Sequence, residues 1–351
     1  MISKSSSMTR HVVWLFASFI VLCTLTQAAL AHVPLCAGEN DSLERASSIE
    51  NPTKSWAIYG DIDHARQAKY FKLQMNTGER LYASLFLSQS GAFSPGMVVM
   101  GPGLVTEGNP PPFVEIPQGN GFIVFEGSKD GREYEPFTPA AYYQTCRVDI
   151  ELNRSGTYCI AVFDNNHTGD FGLAIGYVES FTIVEWLMVP IDVIDIHLWE
   201  GQSPLLIFGP LILTMLLVPS GLYIARRRGA RIPPTISFGL VTVAASLCIG
   251  TGMMIALQMG MALSISSGQS TAGGLLTAIF FFIPLVIGIM MLGLAMSGNW
   301  VPVTRVKFAI FGMVGLVFWA GLIAGPVIAF VVAMLPKGVL GRSLFHRERH
   351  V

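Results

Sequence analysis

Residues 70–87 read YFKLQMNTGERLYASLFL, and this stretch predicts two β-strands rather than a helix. Apolar and other residues alternate on both sides of a turn, so one side of each strand is apolar. The apolar positions are Phe71, Leu73 and Met75 before the turn and Leu81, Ala83, Leu85 and Leu87 after it. Asn76-Thr77-Gly78-Glu79 has the composition of a turn. We therefore expect a hairpin with one buried face.

The same alternation continues from about residue 54 to residue 178. It predicts a second hairpin over 146–162 with its turn at Asn153–Gly156, a strand near Met97–Met100 and a last strand at 171–175. Short strands separated by Gly and Pro are typical of a β-sandwich, which we assign to residues 32–180. The alternation predicts that Tyr158, Ile160 and Val162 lie in its core with Phe71 and Leu73, and that Tyr70 lies at its margin.

Two segments resemble the pre-peptidase C-terminal type of β-sandwich, namely 68–88 (AKYFKLQMNTGERLYASLFLS) and 155–177 (SGTYCIAVFDNNHTGDFGLAIGY). The positions that carry the resemblance are Tyr70, Phe71, Gly78, Leu81, Leu85, Gly156, Tyr158, Ile160, Val162, Gly169, Phe171, Leu173 and Ile175. It covers about a third of the chain, and FSPGMVVMGPGL at 93–104 departs from the family pattern. The resemblance implies an accessory binding or folding module without catalytic residues.

The composition indicates a membrane protein. The 351 residues are 52% hydrophobic and 13% charged, with a mean hydropathy of +0.54, whereas soluble domains have about 25% charged residues. Each of four apolar stretches exceeds the roughly 20 residues that cross a bilayer. They lie near 205–225, 235–263, 272–296 and 308–335. We therefore predict an exported all-β sandwich followed by a C-terminal α-helical transmembrane bundle of about four helices over 205–335.

Charge is divided unevenly along the chain. Residues 32–204 contain 22 acidic and 10 basic residues, whereas the rest contains 12 basic residues and one acidic residue, Glu348. Arg226, Arg227, Arg228 and Arg231 place the first loop inside by the positive-inside rule, so the region 32–204 is expected outside. Four spans would leave the basic tail 336–351 outside, against that rule. We favour four spans; in the alternative, 308–335 is re-entrant and bends at Gly325-Pro326.

The N-terminal residues 1–31 have the features of a signal peptide. Lys4 and Arg10 precede an apolar run over 12–25, and Ala29-Leu30-Ala31 fits the small-x-small rule for cleavage. The alternative is an uncleaved anchor helix.

After cleavage at Ala31, three cysteines remain in the region expected to be exported, namely Cys36, Cys146 and Cys159. The strand phases of Cys146 and Cys159 do not suit a bridge between them. We expect Cys36 to pair with one of the two, and three reduced thiols are the alternative.

Two groups of residues are candidate metal sites. Cleavage after Ala31 would make His32 the mature terminus, whose amine and ring nitrogen suit copper if His64 or His197 approaches. Asp192, Asp195, His197 and Glu200, in the juxtamembrane interfacial segment 181–204, have the oxygen-rich chemistry that binds a divalent cation. The alternative is a solvated face of a segment that Trp186 and Trp199 hold at the bilayer surface.

The sequence leaves two functional hypotheses. One is a multi-pass membrane protein whose surface-exposed sandwich is a binding or assembly subunit, with the lipid bilayer and other membrane or surface proteins as partners and no nucleic acid. The other is a copper-type metal enzyme or metal-handling subunit that uses His32 and a second His. No Asp, Glu, Lys, Arg or His lies between Ile232 and Thr304, which argues against an ion pump or a driven transporter. The spacing of residues suggests no catalytic triad or Cys-His pair, so an enzyme is the less favoured class, and no particular cofactor is indicated.

Overall fold

The computed structural model describes residues 32–268 and 271–336. The signal peptide expected at 1–31 lies outside the described residues, as does the basic tail beyond residue 336.

The strands of the described residues form two mixed sheets. The strands are β1 Val33–Cys36, β2 Ser47–Ile49, β3 Trp56–Ile62, β4 Ala68–Met75, β5 Arg80–Leu87, β6 Gly96–Gly101, β7 Gly121–Phe125, β8 Arg132–Glu135, β9 Ala140–Glu151, β10 Gly156–Phe163 and β11 Gly169–Ile175. One sheet has the strand order β1-β3-β11-β5-β9-β8, and the other has the order β2-β4-β10-β6-β7.

The core lies between the two sheets and contains the residues that the alternation selects. Phe71 and Leu73 of β4 and Ile160 of β10 are fully buried there. Tyr70 points to the other side of β4, where its hydroxyl accepts a hydrogen bond from the Glu115 N–H at 2.7 Å. The period-two pattern therefore predicts correctly which side chains face inward.

Both predicted hairpins are wrong in their pairing. β4 pairs with β10 and β5 pairs with β9, so the turn after Met75 carries the chain from one sheet to the other. The turn at Asn153–Gly156 does the same between β9 and β10. Two strands that bury one face each can meet side by side or face to face, and alternation alone does not distinguish the two arrangements.

The expected pairing of Cys36 is also wrong, because Cys146 and Cys159 are free thiols. Cys36 lies in β1, four strands from the β9 strand of Cys146, which is about 19 Å at the usual strand spacing. Cys159 belongs to the other sheet and is buried in an apolar cluster on its outer side. A disulfide requires Cα atoms within about 7 Å.

The C-terminal half is helical. Its described helices are α1 Ile183–Trp199, α2 Pro204–Arg227, α3 Ile236–Ile265, α4 Thr271–Met296, α5 Pro302–Val317 and α6 Ala324–Met334, with a 3-10 turn at Ala320–Ile323. Three of them, α2, α3 and α4, are long and apolar enough to span a membrane.

The segment 308–335 is not the fourth spanning helix that its apolar character predicts. It contains parts of two short helices, α5 and α6, which pack together as a hairpin. The chain reverses because Trp319, Leu322 and Ile323 have positive φ angles of 50°, 51° and 69°, a conformation that ends a right-handed helix. The bend therefore precedes Gly325-Pro326.

The sandwich rests directly on the end of α3 and the start of α4. The Ser267 N–H, just after α3, donates to the Arg132 carbonyl of β8 at 2.9 Å. The Tyr134 hydroxyl donates to Thr277 Oγ1 of α4 at 2.7 Å. Helix α1 begins with a capping box between Thr182 and Glu185. It then passes between the sandwich and the helices.

Candidate functional site

The carboxylate of Glu200 lies at the junction between the sandwich and the helices. Glu200 follows the last residue of α1, and only 9% of its side chain is exposed. The Tyr142 hydroxyl of β9 donates to Glu200 Oε1 at 2.6 Å. His197 Nδ1 lies 2.8 Å from Glu200 Oε2, because residues three apart share a helix face. A strand of the sandwich and the end of α1 thus share one buried anion.

Two glutamines extend this network to the membrane helices. Gln202 Nε2 donates to Glu200 Oε2 at 2.9 Å and to Gln258 Oε1 of α3 at 3.0 Å. Gln258 Nε2 donates in return to Gln202 Oε1 at 2.7 Å. We call Tyr142, His197, Glu200, Gln202 and Gln258 the junction cluster. It connects β9, α1, the loop after α1 and α3.

The junction cluster lies near the end of α3 that meets the sandwich. Helix α3 has 30 residues and is about 45 Å long, whereas the hydrocarbon core of a bilayer is about 30 Å thick. Gln258 lies about 10 Å along the helix from its last residue, Ile265. Helix α3 is therefore longer than a bilayer core is thick, and Gln258 is about two turns from the end beside the sandwich.

Negative charge and buried phenols surround the junction cluster. Burial and then the charge of Glu200 hold the pKa of Tyr142 well above its usual value, so its hydroxyl stays a proton donor. The pKa of Tyr59 is raised by burial and then by Glu135, Glu200 and Asp192. Burial raises the pKa of Glu135 to about 7, although the Phe137 N–H donates to its carboxylate at 3.1 Å.

A groove of about 270 Å³ opens beside the junction cluster. Glu200, Gln202 and Gln258 form its polar wall, and Leu206, Met261 and Ile265 contribute apolar lining. The Ser88 hydroxyl, which lies in the lining just after the end of β5, has no hydrogen-bond partner within the described part of the chain. The groove thus combines a buried anion with an apolar surface.

A smaller cavity of about 60 Å³ lies deeper, between the sandwich loop at Phe137, α1 and the helices. Its lining is mostly apolar and includes Phe280 and Trp319, with His197 and Gln258 as polar members. Gln258 lines both the cavity and the groove.

The residues proposed as metal ligands do not assemble into one site. Within the described ranges, no three His, Cys, Asp or Glu side chains come close enough to hold a metal ion. His197 and Glu200 are brought together, whereas Asp192 and Asp195 do not join them. His32 Nδ1 lies 2.6 Å from the Ser55 hydroxyl, and burial lowers the pKa of its ring to about 4.

Sequence reasoning assigned no site role to Tyr142, Gln202 or Gln258. In the same helix, Thr242 and Thr251 donate to carbonyls of their own helix. Gln258 instead bonds to Gln202, in a loop that is 56 residues away in the sequence. A neutral amide inside an apolar stretch indicates that a polar partner exists, but it does not indicate which one.

Comparison with known proteins assigns no family to this chain. No family model matches it, and no curated protein matches it significantly. The resemblance to the pre-peptidase C-terminal type of sandwich therefore stays a prediction.

Proposed function

We propose that the protein is a membrane-anchored binding subunit that exposes its sandwich outside the cell and binds an amphiphilic ligand in the groove beside the junction cluster. The observation that carries the proposal is the Glu200 carboxylate, whose side chain is only 9% exposed, in the wall of a groove with apolar lining at the junction of the sandwich and the helices. Ligand sites typically combine an apolar lining with a few convergent polar groups.

The orientation is supported by charge. The sandwich and α1 contain most of the acidic residues, whereas Arg226, Arg227, Arg228 and Arg231 lie at the opposite end of α2 and α3. Loops rich in Arg and Lys remain on the inner side of a membrane, which favours an outer sandwich.

The carboxylate favours a ligand head that donates hydrogen bonds. A carboxylate offers about four acceptor positions, and Glu200 has three described neighbours: Tyr142, Gln202 and His197. An ammonium head could use the remaining position and would be paired with a buried anion. Its alkyl chain would lie along Leu206, Met261 and Ile265.

The metal-based alternative has less support. No group of three candidate ligands occurs in the part of the chain that the structure describes. The network that does form around His197 and Glu200 is completed by amides and a phenol, which are poor ligands for copper.

Binding of simple amphiphiles tests the proposal. Full-length protein in detergent is titrated with dodecylamine, dodecanol and dodecanoate, and the shift of the unfolding temperature is measured. We expect the amine to stabilise the protein more than the alcohol, and the alcohol more than the carboxylate. Glu200→Gln should remove the difference between amine and alcohol.

Asp195→Asn is the matched control, because Asp195 is an exposed carboxylate on the same helix and lies outside the junction cluster. The control should keep the wild-type order of ligands. An equal response of wild type and Glu200→Gln to dodecylamine would show that this carboxylate does not select the ligand. The same response in all proteins to all three compounds would indicate general detergent-like binding, against the proposed site.

A further inference from the structure

The α5–α6 hairpin returns the chain to the end from which it started. Arg305, in the first turn of α5, donates from Nε to the Ala333 carbonyl at 2.7 Å and from Nη2 to the Leu335 carbonyl at 3.0 Å. Both carbonyls lie at the end of α6, where a cation is favourable. The N-terminus of α5 and the C-terminus of α6 are therefore neighbours.

The tip of the hairpin points toward the sandwich side. The Trp319 indole N–H donates to the Trp186 carbonyl of α1 at 2.8 Å. At the other end of the hairpin, Ala333 and Leu335 pack against an apolar cluster of the bundle that includes Ile232 and Phe238. The hairpin thus enters and leaves the bundle at the end that contains the 228–235 loop.

This end of the bundle is strongly basic. Arg226, Arg227, Arg228, Arg231 and Lys307 are exposed there, and Arg305 is half-buried. The sequence contains no Asp or Glu between Glu200 and Glu348. The chain leaves the bundle at this end with Leu335, and the sequence that follows contains four more bases: Lys337, Arg342, Arg347 and Arg349.

We propose that this basic end is a docking surface for anionic phospholipid headgroups of the inner leaflet, and that the chain after Leu335 lies on that same side of the membrane. Six bases of the described residues border the apolar helices at this level, and juxtamembrane clusters of that size attract anionic lipid. The hairpin also removes the conflict between four spans and the positive-inside rule, because its two ends share one side.

The side of the C-terminus is tested on intact cells. An epitope tag after Val351 should be invisible to antibody until the membrane is permeabilised. The matched control is the same tag inserted at Gly108, in the exposed loop between β6 and β7. This control should be detected without permeabilisation. Detection of the C-terminal tag on intact cells, with the Gly108 tag also detected, would overturn the hairpin topology.

The lipid preference is tested on full-length protein extracted from vesicles of equal parts phosphatidylglycerol and phosphatidylcholine. Wild type should retain phosphatidylglycerol in preference. Replacement of Arg226, Arg227, Arg228 and Arg231 by Gln should reduce the preference about ten-fold or more. The matched variant replaces four exposed bases of the sandwich by Gln, namely Arg45, Arg66, Arg147 and Arg154, and should keep it.

Two results would refute the lipid surface. Equal retention of both lipids by wild type would show that the basic end does not select anionic headgroups. Loss of the preference in millimolar inorganic phosphate, at constant ionic strength, would show a site for free phosphate instead of lipid. A preference that persists in phosphate and disappears only when Arg226, Arg227, Arg228 and Arg231 are replaced by Gln supports the proposal.

Discussion

The paired amides of Gln202 and Gln258 hold the sandwich side of the protein to the membrane helices, and a double-mutant cycle measures that link. Gln258→Leu removes the two bonds at 3.0 and 2.7 Å between the side chains. A hydrogen bond contributes about 0.5–1.5 kcal/mol net, and a buried polar group that is left unsatisfied costs about 1–3 kcal/mol. We therefore expect Gln258→Leu to lower the free energy of unfolding by about 2–4 kcal/mol.

The cycle adds Gln202→Leu and the double variant. Because each single variant leaves the other amide without its partner, the double variant should cost less than the sum of the two. We expect a coupling free energy of about 1–2 kcal/mol. The assay is denaturant unfolding of the full chain in mixed micelles, followed by tryptophan fluorescence. Thr251→Val is the control, since the Thr251 hydroxyl bonds only to Leu247 of its own helix among the contacts described. It should show no coupling to Gln202→Leu.

A coupling within about 0.5 kcal/mol of zero would refute this reasoning. It would mean that the two amides act independently and that the contact between the loop after α1 and α3 contributes nothing to stability.

Two further predictions concern the sandwich. Ile160→Ala should cost about 2–5 kcal/mol of unfolding free energy, because the side chain is fully buried between the sheets and its removal leaves a cavity; an unchanged unfolding temperature, beside a neutral Thr157→Ala control, would contradict the strand phase. Burial raises the pKa of Glu135 from 4.5 to about 7. The contribution of its protonated carboxyl to the free energy of unfolding is therefore full below pH 4.5. This contribution, at most about 3 kcal/mol, is lost as the pH rises through 7. Glu135→Gln should flatten that decline between pH 5 and pH 8 in equilibrium unfolding, and a slope equal to that of wild type would assign the decline to other groups.

The sandwich core could be predicted because it depends on a local signal. Phe71, Leu73 and Ile160 alternate with outward-facing residues, and a strand has only two sides on which to place them. Which strand pairs with which depends on contacts between distant residues. The predicted β4–β5 hairpin failed for this reason, since the same two apolar faces are buried across the sandwich.

The prediction of a spanning helix over the last apolar segment, 308–335, failed for a different reason. A spanning helix and a re-entrant hairpin need the same apolar side chains, so hydropathy does not separate them. The bend depends on positive φ angles at Trp319, Leu322 and Ile323, residue types that seldom adopt them. The local sign of a break in the sequence, Gly325-Pro326, lies just after these residues.

The candidate site was predictable in part. His197 and Glu200 share a helix face by spacing, and they do meet in the structure. Tyr142 reaches the same carboxylate only because the sandwich lies on the helices, and Gln258 reaches Gln202 only because α3 extends to the sandwich. Such partners follow from the packing of whole elements rather than from any motif.

The first two strands have a consequence for how the sandwich is built. β1 and β2 lie at an edge of each sheet, in parallel pairing with β3 and β4. The earliest-synthesised part of the sandwich thus protects one margin of both sheets at once. Until these strands dock, each sheet offers a free row of backbone donors and acceptors to neighbouring chains. Shortening the chain before Ser47 would leave the Trp56–Ile62 strand as an open edge, so the yield of soluble sandwich would fall through self-association even if the core residues were unchanged.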